Sequence, residues 1–350
     1  MAKIVAVATA VPAHRFSQTE VLAISRDLFG PLLAGPKRAE LFERAGVDAR
    51  SLVEPKQYYL DGHDFETKNR DYLKHALALA EACIADCLAQ AGVGHAEVDH
   101  IVSVTTTGLL TPSLEARLAQ VLPFARTVKR TPLFGVGCAG GAVALARAAD
   151  YLAGHPAGTV LVLSVELCSL TLMPSERSMT QVVAAALFGD GACAVLLAGR
   201  DSKLAARASI LRCESRLLPD SLDVMGWDFT NAGMKLVLSK RAPEIIERHF
   251  REAVVGFLSA EDARLPDLHR VLLHPGSSKI LEACERALGL APEKTRLSRD
   301  FLSANGNLSS ASLLFILRDA LQAPPPPASL DLMAAFGPGF ACEQLLLRFP

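Results

Sequence analysis

Three polar residues interrupt apolar or small-residue stretches where they could do acyl chemistry. Cys138 lies in Gly135-Val136-Gly137-Cys138-Ala139-Gly140-Gly141, where an apolar approach turns into a small-residue helix. A cysteine on a first helical turn faces unpaired backbone N–H groups and the positive end of the helix dipole. Both favour the thiolate, the nucleophilic form. His274 ends the strand-like run Val271-Leu272-Leu273, ahead of Pro275-Gly276, and Asn307 follows Gly306 before another apolar helical stretch. A thiolate, an imidazole and an amide suit acyl transfer: the sulfur attacks a thioester carbonyl and retains the acyl group. His274 can pair with Cys138 and lower its pKa below the free value of about 8.5. Its Nε2–H can join the Asn307 amide at an oxyanion or enolate oxygen. An enolate formed by decarboxylating a malonyl thioester needs that stabilisation and no metal. Each residue alone also has a plainer reading: a small core cysteine, a histidine capping a turn, or an ordinary asparagine N-cap.

The elements that must position these residues alternate between strand-like runs and helical periodicity, which argues for layered α/β architecture. The chain opens on a strand, Ala2 to Ala8, followed by helical stretches over 18–29, 37–46 and 66–92. His100 to Thr105 is a strand and Ser113 to Leu122 a helix. The Cys138 helix runs to 153, and strands follow over Val160–Val165 and Ala192–Leu197. The second half repeats this order: strand Val271–His274, helix Ser277–Leu288, a helix opening at Gly306-Asn307, and strand Leu330–Ala335. Cys138 lies 31 residues after Thr107, and Asn307 lies 33 after His274. This periodicity indicates an internal duplication, with halves 1–203 and 204–350. Two helix starts and two strand ends then face one cavity, turning Cys138, Asn307, Thr107 and His274 inward. Pro324 to Pro327 form a polyproline connector.

Composition excludes several classes. Half of the 350 residues are hydrophobic and the net charge is −1, which gives no electrostatic footprint for nucleic acid or an anionic membrane. No apolar run approaches the ~20 residues that span a bilayer. The N-terminus lacks the regions of a signal peptide, so a cytoplasmic location is expected. The eight cysteines are scattered and read as thiols. Cys83 and Cys87 have no matching Cys or His pair at zinc-site spacing.

Five segments in order resemble the type III polyketide synthases, the chalcone-synthase-like branch of the thiolase fold. They are Gly137-Cys138-Ala139-Gly140-Gly141, Leu187-Phe188-Gly189-Asp190-Gly191-Ala192, Leu273-His274-Pro275-Gly276, Gly306-Asn307-Leu308-Ser309-Ser310-Ala311 and Phe336-Gly337-Pro338-Gly339. The resemblance implies a layered αβαβα fold and a homodimer. Cys138 would carry the starter and the growing chain, while His274 and Asn307 promote malonyl-CoA decarboxylation. Phe188 would be the gatekeeper between the CoA tunnel and the cavity. The resemblance also implies cavity residues at Thr106, Thr107, Thr111, Cys168, Thr171, Trp227, Leu236 and Ser309, with Phe336, Gly337, Pro338 and Gly339 shaping the cyclisation end. Arg44 and Arg50 would meet the CoA phosphates. No cofactor is implied beyond the CoA thioester substrates, acyl-CoA and malonyl-CoA.

Departures from plant members bear on the product. Thr111 stands where they place a methionine reaching into the partner's cavity, and Cys168 where threonine is common. Trp227 replaces a small glycine, Leu236 a second gatekeeper aromatic, and Ala335 the glycine that opens the glycine-rich loop. Asp223-Val224-Met225-Gly226-Trp227-Asp228, with Gly233-Met234-Lys235, instead resembles bacterial alkylpyrone and alkylresorcinol synthases, which take fatty acyl-CoA starters. The alternatives are a single-condensation ketoacyl synthase using acyl carrier protein, a catalytically silent acyl-binding protein of the same fold, and a thiol redox sensor.

Overall fold

The computed structural model describes residues 1–350, apart from the side chains of Pro36 and Lys37. Its centre is built from strands whose residues are apolar on both faces. Every residue of Thr159–Leu167 and of Asp190–Ala198 is buried. Such strands need cover on each side, and helices provide it. Nine strands join in one sheet. The first half contributes five, from the edge inward: Lys129–Leu133, His100–Val104, Thr159–Leu167, Asp190–Ala198 and Ala2–Ala10. The second contributes four: Ala208–Leu217, Ala341–Arg348, Leu330–Gly337 and Leu268–Leu273. The halves meet where Ala2–Ile4 pairs antiparallel with Ala208–Ile210. Outward from that seam the pairing runs antiparallel, antiparallel, parallel on both sides. The duplication is therefore visible in strand order, and Lys129–Leu133 is the strand with no counterpart.

Two central helices, Gly140–Gly154 and Ser312–Gln322, lie between the half-sheets. Their apolar faces share one core with Val160, Val162 and Val195 of the first half and with Met333, Leu345 and Leu347 of the second. Helix Phe65–Ala91 covers the outer face of the first half-sheet. Helices Ala242–Ser259 and Ser278–Leu288 cover the second. The result is the layered αβαβα arrangement, with each fully buried Leu or Phe contributing roughly 1.5–3 kcal/mol. The central helices approach closely at Gly141, where a Cβ would lie 2.4 Å from the Ser310 carbonyl oxygen.

Local signals explain the element ends. Ser17 and Glu20 form a capping box at the start of Gln18–Phe29. Asp64 caps Phe65–Ala91, which stops at left-handed Gly92. The helix expected over 37–46 occupies Pro36–Glu43. Helix Ala242–Ser259 and a ribbon pairing Met225–Thr230 with Gly233–Leu238 add to the expected elements. One expectation is corrected: Asn307 does not open a helix. Its N–H donates to Leu187 O at 2.8 Å and its carbonyl accepts from Gly189 N–H at 3.0 Å, a parallel bridge to Phe188. A 3-10 turn, Ser309–Ala311, and then Ser312–Gln322 follow.

Candidate active site

Cys138 lies in the 3-10 turn Gly137–Ala139 that leads into helix Gly140–Gly154. Gly137 has φ +49°, and a Cβ there would lie 2.3 Å from the Pro338 ring. Only glycine allows both that backbone and that approach. The Cys138 thiol donates to Ser309 Oγ at 3.8 Å. Ser309 Oγ lies 3.1 Å from Thr106 Oγ1, which donates to Glu166 Oε1 at 3.0 Å. A hydrogen-bonded line thus runs from the sulfur to a buried carboxyl. Glu166 also accepts from the Thr106 N–H at 3.0 Å, from Thr107 Oγ1 at 2.7 Å and from the Ser310 hydroxyl. Burial still pushes its pKa up, which those donors oppose. Ser309 is held at φ +47°, a backbone strain on the order of 1–3 kcal/mol. That strain places its hydroxyl between the two halves.

Asn307 is oriented by its own oxygen. Oδ1 accepts from Ser309 N–H at 2.8 Å, and Nδ2 makes a 3.3 Å bond to Gly276 O. The amide therefore presents N–H to the cavity and cannot flip without losing the Ser309 bond. His274 follows strand Leu268–Leu273, and its N–H donates to Ala334 O at 2.8 Å. It is 4% exposed, and neither ring nitrogen has a hydrogen-bond partner. Two orphaned nitrogens in a buried ring are costly unless an incoming group uses them. The expected Cys138–His274 ion pair is not made in this structure. Burial acting on each group alone pushes the thiol up to about 11 and the imidazole down to about 3. Both are then neutral at rest. Passing the thiol proton to the ring creates opposite charges whose attraction opposes both shifts.

One cavity of about 1630 Å³, open mouth included, has Cys138 and Asn307 in its wall. Thr106, Thr107, Cys168, Thr171, Phe188, Trp227, Leu236, Ser309 and Pro338 also line it. Trp227 and Leu236 are directly opposed across the ribbon, so they form one cross-strand unit. A second, apolar chamber of about 590 Å³, open mouth included, lies behind that wall and shares Cys168, Thr171, Phe188, Trp227 and Leu236 with it. Its far side is formed by Val21, Ile24, Leu28 and Leu52.

Other expected residues fall elsewhere. Arg50 is fully buried and cannot meet a phosphate. Its guanidinium donates to Ala185 O and Ala186 O at 2.9 Å and to Phe188 O at 3.1 Å. It clamps the end of helix Met179–Leu187 and so fixes the Phe188 backbone, while burial pushes its pKa down to about 9. Arg44 is exposed and pairs with Glu40 at 2.8 Å. Phe336 is a core residue, packed against Phe250 and Phe340. Gly337 and Gly339 likewise stay off the cavity wall, which Pro338 reaches. Thr111 is exposed and borders a different surface pocket beside Leu133 and Phe134. His274 stands behind the wall, two residues from lining residue Gly276. Sequence reasoning passed over Glu166, whose signal is an acid inside the strand Thr159–Leu167. It also passed over Lys240 and Lys279, which line the cavity.

Known proteins match the chain over almost its whole length. Residues 65–201 match the family model for the N-terminal domain of chalcone and stilbene synthases, and residues 209–349 match that for the C-terminal domain. A 1,3,6,8-tetrahydroxynaphthalene synthase of Streptomyces peucetius is 39% identical, over 99% of this chain and 93% of that protein. A 3,5-dihydroxyphenylacetyl-CoA synthase of Streptomyces toyocaensis is 31% identical, over 99% of this chain and 90% of its own length. The crystal structure of the 1,3,6,8-tetrahydroxynaphthalene synthase from Streptomyces coelicolor A3(2), a bacterial type III polyketide synthase, superposes with a TM-score of 0.94. It covers 99% of both chains at 29% identity.

Proposed function

The chain belongs to the chalcone and stilbene synthase family and is a type III polyketide synthase, and from that premise we propose that it loads a fatty acyl-CoA onto Cys138, extends it with malonyl-CoA and closes an alkylpyrone. Cys138 Sγ attacks the acyl-CoA carbonyl, and CoA leaves as the thiol with the proton Cys138 gave up. Malonyl-CoA then loses CO₂, and the enolate oxygen forms hydrogen bonds with a His274 ring N–H and the Asn307 amide. The enolate carbon attacks the Cys138 thioester, forming the carbon–carbon bond and releasing the thiolate. The Cys138 thiolate then attacks the thioester of the extended chain and expels CoA, which takes up a proton from water. After the last extension an enol oxygen attacks the Cys138 thioester carbonyl, closing the lactone and releasing the Cys138 thiol. These steps run on CoA thioesters alone, because the two donors carry the charge.

The observation that carries the starter class is the apolar chamber behind Phe188, Trp227 and Leu236. An alkyl tail buried there gains about 0.8 kcal/mol per methylene. The test is incubation with labelled malonyl-CoA and acyl-CoAs of increasing length, read by product mass and fragmentation. Products that carry the acyl chain and lengthen with it are expected. A product formed from malonyl-CoA alone, whatever acyl-CoA is present, would replace this reading with the one the name of the 39% identical relative favours. A resorcinol ring on the same acyl chains would correct the ring closure only.

The same reading includes a cytoplasmic homodimer of two-half subunits, with the halves dividing at 203/204. The sheet ends on Lys129–Leu133, whose outer edge is unpaired among the described residues, and neighbouring Phe134 is 47% exposed. Thr111 borders the same surface. Sedimentation should give twice the 37.3 kDa chain mass.

A further inference from the structure

The chamber behind Trp227 and Leu236 is largely apolar, and the side-chain oxygen and nitrogen atoms in its wall divide into two sets. One set is satisfied within the protein. Tyr59 donates to Ser169 Oγ at 2.9 Å, Ser169 donates to Asp190, and Thr171 Oγ1 donates to Cys168 O at 2.7 Å. Arg50 is the chamber's only cation among the described residues. Its four terminal N–H groups go to the carbonyls of Ala185, Ala186 and Phe188 and to Gln18, and its Nε is enclosed. The other set has no partner. Ser25 is 1% exposed and Gln181 2% exposed, and both line the chamber. Gln181 Oε1 accepts from the Met173 N–H at 3.0 Å, which fixes the amide's orientation and leaves the Nε2 hydrogens free. Neither Gln181 Nε2 nor the Ser25 hydroxyl makes a hydrogen bond among the described residues. Unlike Arg50 Nε, neither atom is enclosed, so each is open to the chamber. Ser25 stands with Val21, Ile24 and Leu28 on helix Gln18–Phe29, and Gln181 shares one face of Met179–Leu187 with Ala184 and Ala185.

We propose that Ser25 and Gln181 recognise a neutral oxygen, a hydroxyl or a ketone, carried on the hydrocarbon tail of the starter acyl group. This rests on the type III synthase reading, in which the chamber holds that tail. Buried polar groups without partners are costly unless an incoming group meets them. An amide N–H can only donate, so its partner must be an acceptor, and a hydroxyl or carbonyl oxygen suits both side chains. A carboxylate at the same place is disfavoured, because Arg50 has no accessible N–H left to balance its charge. Val21, Ile24, Leu28 and Leu52 still take up the methylenes on either side of the oxygen.

The test compares dodecanoyl-CoA with hydroxy- and oxo-dodecanoyl-CoAs whose oxygen is moved along the chain. At its favoured position the oxygen should raise kcat/KM in the parent at least about fivefold over dodecanoyl-CoA. Ser25→Ala and Gln181→Leu should each lower that ratio severalfold, and the double variant should favour the plain alkyl chain. Ser25→Ala removes a single atom, so it carries the test even if Gln181→Leu fails to fold. A merely structural role would weaken both kinds of substrate together and leave the ratio unchanged. That result, or a parent with no preference at any position, would overturn the assignment. Trp227 is the chain's only tryptophan and lines the chamber, so its fluorescence reports filling. Titrating the same acyl-CoAs into Cys138→Ala, which cannot be loaded, separates this proposal from the enzymatic reading. Tighter binding of the oxygenated chain, lost when Ser25→Ala and Gln181→Leu are added, would keep the site even if the parent forms no product and the reading fails. Product formation with no oxygen preference in rate or fluorescence does the reverse.

Discussion

The two halves of the molecule bring equivalent elements to one cavity and use them differently. In the first half, the 3-10 turn before the central helix carries the proposed nucleophile, Cys138, and two glycines follow within three residues. In the second half, the matching turn Ser309–Ala311 carries hydroxyls that bond inward: Ser309 beside Cys138, and Ser310 to Glu166 and to Ser164 at 2.9 Å. The second half's proposed donor, Asn307, precedes the turn in an extended bridge to Phe188. Duplication supplies two helix starts, and the few residues before each one decide whether it presents a nucleophile or a donor. The small residues fall in the first half because the second half's Ser310 carbonyl presses on them.

This division of labour can be broken one half at a time. Cys138→Ala should reduce product formation by at least about a thousandfold while malonyl-CoA decarboxylation persists, as measured by CO₂ release. Undiminished product from that variant would falsify the role of the first half. Gly141→Val places side-chain atoms against the Ser310 carbonyl and should cost roughly 3 kcal/mol, seen as a lowered Tm. A Tm equal to the parent's would mean the helices can separate without loss.

On the other side, His274→Gln should slow decarboxylation by about a hundredfold. It should also slow iodoacetamide alkylation of Cys138 at pH 7, since the proton acceptor is gone. An unchanged alkylation rate would show that the imidazole takes no proton from the thiol. The depressed His274 pKa has a stability consequence as well. Below the unfolded value of about 6.5 the unfolded chain binds a proton that the folded chain refuses, so stability falls as pH drops from there toward 3. Denaturant titrations over that window should show a smaller loss in His274→Gln. The mildest change, Ser309→Ala, removes the link between Cys138 and Thr106 and should alter product distribution severalfold more than Tm.

Much of the site was legible in the sequence because its signals are local. A glycine-flanked cysteine, a histidine closing an apolar strand and the Gly306-Asn307 pair are read from neighbours within a few positions. The duplication was legible from spacing, although the structure moves the second helix start past Asn307 through bonds to Leu187 and Gly189. Arg50 shows where that reading ends. Its type suits a phosphate equally well as a cluster of helix-end carbonyls, and burial alone decides between them. Phe336 likewise belongs to a glycine-rich motif by position and to the core by packing. Glu166 is an acid in an apolar strand, a visible anomaly whose meaning depends on Thr106, Thr107 and Ser310 arriving from two other segments.

Residue order alone therefore determined the layered duplicated fold and pointed to a candidate nucleophile with two candidate donors, since patterning and turn chemistry act over short range. Tertiary structure decided which cations face the cavity, which aromatics form its wall and which nitrogens are left without partners. Those properties come from burial and from contacts between segments distant in sequence, as between Thr106 and Ser309, 203 residues apart. No local pattern encodes them.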